Sequence, residues 1–338
     1  MMRELATGFV IIGRNEGERL KQCLRSLPQT VPVVYVDSGS TDGSVAFARS
    51  FGVLAVELDM SVPFTAARAR NVGWRCLLRD FPNLDAVQFI DGDCEVSGSW
   101  PDTASASLFA NEMIAAVFGR RRERHPDQSI YNRMCDDEWD VPVGIVNSCG
   151  GDVLFRVAAL LAANGYSDDL IAGEEPDLCL RLRKQGWIIL CIEAEMTLHD
   201  AAITSWRAWW KRSKRAGFAY ASHVWRHRED ADPAWARQVV SIIFWASILP
   251  LSIFASACLY LANLTRFGFL PILFAMGIYA MQFTRMYQKK MSDLGDARFA
   301  MNYSSLILLA KLPQFLGLLI FLRGRLLNKS QAIIEYKG

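Results

Sequence analysis

Two carboxylates one residue apart, Asp91 and Asp93, follow directly on an apolar run in Phe89-Ile90-Asp91-Gly92-Asp93-Cys94. The segment Asp85–Ile90 reads as a buried strand, and open α/β sheets take their ligands beyond the carboxyl ends of such strands. Alternate side chains of an extended segment point the same way, so both carboxylates are expected to face one hard divalent cation. This is the outline of a metal-diphosphate site. Asp-Gly-Asp also makes ordinary turns, so the surrounding residues decide its weight.

The elements that would position these acids alternate along the first two hundred residues. Gly8–Gly13, Val31–Val36, Val53–Leu58 and Asp85–Ile90 read as strands, separated by helices expected over Gly17–Leu27, Ser44–Phe51 and Thr65–Asp80. About 25 residues per strand-helix unit predicts a doubly wound, mostly parallel sheet covered by helices. Neither GxGxxG nor GxxxxGK[ST] occurs, so dinucleotide and P-loop arrangements are not supported.

Polar residues gather where the strands end. Arg14, Asn15 and Glu16 follow the first strand, and Asp37, Ser38, Ser40 and Asp42 the second. Ser40 and Asp42 also suit helix capping. Arg68 and Arg70 lie on the helix after the third strand, where an arginine suits a diphosphate or a nucleobase, or simply a solvated face. Further on, Glu174 and Glu175 open a helix, where the dipole favours acids whether or not they act in chemistry. A carboxylate at the mouth of such a site can take a proton from an attacking hydroxyl. His199 ends another apolar segment and is placed to complete a metal shell.

Charge is nearly balanced at +2 over 338 residues, so no nucleic-acid partner is expected. The eight cysteines show no CxxC spacing, and the chain opens straight into its first strand, which together predict a reduced, cytoplasmic catalytic part. The last third is different. Gln238–Thr265 and Phe267–Thr284 are uncharged runs of 28 and 18 residues, against about 20 needed to cross a bilayer. A third apolar stretch, 300–322, is divided by Lys311 and broken by Pro313, so it either spans or lies at the interface as two short helices. Before these, 204–236 carries tryptophans on one helical side and basic residues on another, as membrane-interface helices do.

With these residues assembled, the chain resembles the family 2 glycosyltransferases, which have the GT-A fold. The motifs are IIGRNEGERL (Ile11–Leu20), VVYVDSGSTDGS (Val33–Ser44), FTAARARN (Phe64–Asn71), FIDGDCEV (Phe89–Val96), GGDVLFR (Gly150–Arg156), GEEPDLCLRL (Gly173–Leu182) and the histidine of MTLHD, His199. The resemblance implies a catalytic domain over 1–203, followed by the amphipathic segment and a membrane region over 237–338. It implies a nucleotide-sugar donor bound by Asn15, Glu16, Asp37, Ser38, Arg70 and Asp91. Asp91 and Asp93, with His199, would hold Mg or Mn. Asp152 and Glu174 would lie on the acceptor side, with Glu175 as general base. Two departures from the commonest pattern stand out: Glu174-Glu175 replaces a Glu-Asp pair, and Gly-Arg-Asn-Glu replaces Pro-Asn-Glu in the first loop.

The expected protein is therefore an inverting, multi-pass enzyme of the cell inner membrane with its catalytic part in the cytoplasm. It would act on a lipid-linked or membrane-associated glycan, in cell-surface or exopolysaccharide synthesis. The rivals are a polyprenyl-phosphate sugar synthase and a catalytically silent nucleotide-sugar-binding scaffold.

Overall fold

A computed structural model describes residues 6–262 and 269–327. The start of the chain, a sequon at 263–265, the first residues of the second apolar run and the basic tail beyond 327 lie outside them. The chain divides into two units, Met1–Ile203 and Thr204–Gly338.

The first unit begins as the alternation predicts. Strand β1 (Thr7–Gly13) is followed by α1 (Glu18–Ser26), β2 (Val33–Asp37), α2 (Ser44–Ser50), β3 (Leu54–Glu57), α3 (Ala66–Asp80) and β4 (Ala86–Asp91). Then come β5 (Cys94–Val96), α4 (Trp100–Phe109), β6 (Ile114–Glu123), α5 (Ile130–Glu138) and β7 (Gly144–Val146). The unit closes with β8 (Val153–Arg156), α6 (Val157–Ala162), α7 (Glu174–Lys184) and β9 (Ile188–His199). The sheet order is β3-β2-β1-β4-β8-β6-β9-β5, with β7 beside β9. β3, β2, β1 and β4 run parallel, as expected. The second half is mixed, because β8 enters between β4 and β6 antiparallel to both, and β5 and β7 lie antiparallel to β9. These later strands are short or polar, and their pairing partners are far away in sequence.

Packing fixes the helix that matters most for the site. Thr65 caps α3, its hydroxyl oxygen accepting from the Arg68 amide at 3.0 Å. Trp74 and Leu77 turn the helix onto the core, and Gly73 lets it lie close to the sheet, since a Cβ there would come within 2.3 Å of Val10 Cγ1. Arg70 therefore ends on the sheet side of α3, only 3% exposed.

The second unit is helical: α8 (Trp206–Arg226), α9 (Pro233–Ile243) continuing through a π turn (Phe244–Ile248) into α10 (Leu249–Leu261), α11 (Phe269–Leu294) and α12 (Ala297–Leu326). Three helices, Pro233–Leu261, Phe269–Leu294 and Ala297–Leu326, are long and apolar enough to cross a membrane. The third apolar stretch is thus one continuous 30-residue helix with Pro313 inside it, not two short ones. A proline within a helix removes one backbone hydrogen bond without ending the helix where packing holds both halves. In α12 a third of the apolar window is buried, against 11% and 6% in the other two. Helix α8 provides that cover. Gly217 and Gly317 let the two backbones meet, because a Cβ at either would lie 1.9–2.0 Å from the carbonyl oxygen of Gln314 or Lys214. Trp209, Ser213, Gly217 and Phe218 are consequently buried, so much of the face expected to lie in headgroups packs against protein, while Trp206 stays exposed.

Candidate active site

A turn between β4 and β5 lies between Asp91 and Asp93. Asp91 is the last residue of β4, Gly92-Asp93 makes the turn, and Cys94 begins β5. The alternation that would aim both carboxylates at one point holds only within a continuous strand. Here Asp91 Oδ1 accepts from Arg70 Nη2 at 3.0 Å and its other oxygen lies 3.8 Å from Arg121. Asp93 instead approaches His199, with Oδ2 3.3 Å from Nε2. Register explains this second meeting: β5 pairs with β9 so that Cys94 faces His199 directly.

Asp93, Cys94 and His199 form a group whose potential ligand atoms all lie within 4.8 Å of one another, and all three are buried. Asp91 is not in that group. Burial pushes the His199 imidazole down to about 4, with the Arg121 charge adding to the effect. The ring is therefore neutral at physiological pH, the state a metal ligand needs. Burial pushes the Cys94 thiol well up, so it stays protonated and donates to Asp93 Oδ1 at 3.7 Å. A carboxylate beside a neutral imidazole can ligate a divalent cation, and Asp93 and His199 are the residues that would hold it.

Arg70 is the hub on the other side. Its guanidinium donates to Asp91 and to Glu174 Oε1 at 3.0 Å, and lies 2.9 Å from Glu175 Oε1. Gly151 passes over it so closely that a Cβ would sit 2.4 Å from Nη2. The two glutamates differ in access: the Glu174 side chain keeps 6% of its exposure and Glu175 keeps 15%. Both start α7, where Gly173 adopts the left-handed conformation (φ 84°) that lets the chain turn into the helix. Burial first, and then the negative charge of Glu174, raise the Glu175 carboxyl from its ordinary 4.5 to about 7, with Arg70 pulling against both.

The other expected contacts are present as scaffolding. Asp37, 1% exposed, accepts from the Tyr35 hydroxyl (2.8 Å), the Gly39 and Ser40 amides (2.9 and 2.7 Å) and the Ser40 hydroxyl (2.5 Å). Asn15, at φ 55°, joins the first loop to this one: its amide donates to Ser40 Oγ at 2.8 Å and its Oδ1 accepts from Thr41 N at 2.7 Å. Glu16 pairs with Arg19 at 2.7 Å, and Ser38 is buried with its amide on Gly13 O at 3.0 Å. Arg68 is tied by its guanidinium to the carbonyls of Asp59, Val62 and Pro63. Asp152, expected toward an acceptor, is 1% exposed and serves as an internal strut. It accepts from the Asp91 amide at 3.0 Å and Thr197 Oγ1 at 2.7 Å, and forms an ion pair with Arg121, whose Nη2 lies 3.0 Å away.

Arg121 escaped the sequence reading. It links Asp152 to Asp91 and lies over Trp139 at 5.4 Å, while Trp139 packs edge-on against His199 at 4.6 Å. The only signal was the run Arg120-Arg121-Arg122 on β6, where irregular pairing with β9 on either side of Arg120 defeats simple alternation. Arg120 and Arg122 pair with Asp136 and Glu195, away from the site.

Residues 9–155 match the family model "Glycosyl transferase family 2". The pre-mycofactocin glycosyltransferases of two Mycobacterium tuberculosis strains are 25% identical over 241 residues, 66% of this chain and 48% of theirs. The chain thus spans about half the length of the curated relatives it matches. Among solved structures, a mannosyltransferase from Pyrobaculum calidifontis in complex with GDP-Man and Mn2+ matches with a TM-score of 0.58 at 16% identity, over 95% of this chain and 88% of that one. At that identity the likeness is one of fold, and the fold is GT-A. The family pattern in the first unit supports a family 2 glycosyltransferase.

Proposed function

We propose that the protein is a metal-dependent, inverting glycosyltransferase that moves a sugar from a nucleotide-sugar donor to a hydroxyl of a lipid-linked or membrane-associated glycan. We place it in cell-surface polysaccharide synthesis, with the helical unit as a multi-pass anchor in the cell inner membrane and the catalytic unit in the cytoplasm. The observation that carries the chemistry is Glu175: a partly accessible carboxylate raised to about 7, one guanidinium away from Asp91.

In the reaction, the acceptor oxygen forms a bond to the anomeric carbon while the bond to the diphosphate oxygen breaks. Glu175 takes the acceptor's proton, and a base near neutrality balances availability against strength. A divalent cation held by Asp93 and His199 would supply Lewis-acid neutralisation of the leaving diphosphate. Arg70 holds Asp91, Glu174 and Glu175 in one array, so a donor meets a pre-set constellation. Asn15, Glu16, Asp37 and Ser38 shape the two loops at the donor end. The same base argues against a polyprenyl-phosphate acceptor, because a phosphate oxygen is already ionised near pH 7 and has no proton to give up.

The test is nucleoside diphosphate release by the purified full chain from a panel of nucleotide sugars, with Mn, with Mg and with chelator. Metal-dependent release from one donor, lost in Asp93→Asn, is expected. Release from no donor, or equal release in chelator, refutes the reading.

A further inference from the structure

The helical unit contains a cavity of about 360 Å³ between α9, α11 and α12. Its polar wall is made by Arg237, Gln238, Ser241, Gln282 and Lys311, and among the described residues no carboxylate lines it. Lys311 keeps only 9% of its exposure, and its ammonium donates to Gln238 Oε1 at 3.2 Å. Among the described residues neither Lys311 nor Arg237 forms an ion pair. A buried ammonium met only by an amide oxygen lacks a counter-charge, and taking it out of water is costly without one.

The cavity sits where apolar helix meets polar flank. Arg237 immediately precedes the uncharged stretch of the first long helix, and Gln282 lies three residues before Arg285, where the uncharged stretch of α11 ends. The two levels coincide, because α11 runs back along the first helix and Tyr279 donates to Trp245 O at 2.7 Å. A ligand there would have its head among two cations and several hydrogen-bond donors, and its tail beside apolar helix. Basic pockets between membrane helices at this depth suit anionic lipid heads.

We propose that this cavity binds the phosphate head of an anionic membrane lipid, with Lys311 and Arg237 as its counter-charges. The proposal concerns the helical unit alone and does not depend on the chemistry assigned to the other unit.

The experiment follows the melting temperature of the full chain in uncharged detergent as phosphatidylglycerol, phosphatidylcholine or inorganic phosphate is added. Phosphatidylglycerol should raise it in a saturable way, and the other two should not. Lys311→Met should raise the lipid-free melting temperature and abolish the response. Arg237→Gln, at an exposed position and safe for folding, should raise the half-saturating lipid concentration by roughly tenfold, the scale of one lost charge-assisted hydrogen bond. No shift with phosphatidylglycerol, an equal shift with phosphatidylcholine or inorganic phosphate, or an unchanged response in Arg237→Gln overturns the proposal.

Discussion

Lowering the pH from 8 to 6 should slow transfer by about tenfold in kcat/KM, because the proposed base titrates inside that window. With Glu175 raised to about 7, roughly nine-tenths of it is ionised at pH 8 and about one-tenth at pH 6. A glutamate at its ordinary value would change by only about 3% across the same interval. His199 adds no limb there, since burial holds it near 4. Glu174 is the largest raising influence after burial, so Glu174→Gln should move the midpoint toward lower pH while leaving the plateau largely in place. The assay is initial-rate release of nucleoside diphosphate at subsaturating donor and acceptor, in buffers of constant ionic strength. The same perturbation has a stability side with a definite sign. The folded protein holds the Glu175 proton more tightly than the unfolded chain does, so this group's contribution is complete below about 4.5 and is lost as pH rises through about 7. Above pH 7 the loss is about 3 kcal/mol. Glu175→Gln should therefore melt higher than the parent at pH 8 and similarly to it at pH 5. A flat rate profile between pH 6 and 8, with Glu175→Gln inactive, would refute the raised base.

Glu175→Gln should retain donor binding and lose roughly 10²-fold or more in turnover, the usual scale for a positioned base, and Glu174→Gln should lose less. A greater loss at Glu174 would reverse the assignment. Asp93→Asn should abolish metal-dependent donor binding measured by calorimetry, since an amide has no charge with which to hold the ion. Gly151→Ala should lower activity without unfolding the protein, because its methyl meets the Arg70 guanidinium at 2.4 Å and displaces the array around it; unchanged kinetics would show that the array is not needed. Gly217→Val should destabilise the helical unit by about 3 kcal/mol, the upper end for overpacking, given a Cβ 1.9 Å from Gln314 O. Thermal unfolding of the detergent-solubilised chain measures it.

The sequence by itself determined the local order of this protein. The first four strands, their parallel direction and the helices between them follow from apolar runs and turn residues that neighbour one another in the chain. Two long apolar segments are equally legible, since length and composition are local properties, whereas Lys311 and Pro313 left the third open until packing against α8 showed it to be one continuous helix. Glu175 and Arg70 stand out because acids opening a helix and an arginine on the helix after the third strand are visible without knowing what they touch. Tertiary structure decided the rest. Asp91 meets Arg70 and Asp93 meets His199 across a turn, and whether Asp-Gly-Asp turns or extends depends on where β5 finds its partner. That partner, β9, lies a hundred residues on, and its register alone brings His199 to Asp93. Asp152 and Arg121 become a strut under Asp91 only because antiparallel β8 enters the sheet between β4 and β6. The face of α8 reads as a membrane surface from its own periodicity, but α12 covers it through two glycines, Gly217 and Gly317, a hundred residues apart. Periodicity says that a face must be covered, and only long-range packing says by what.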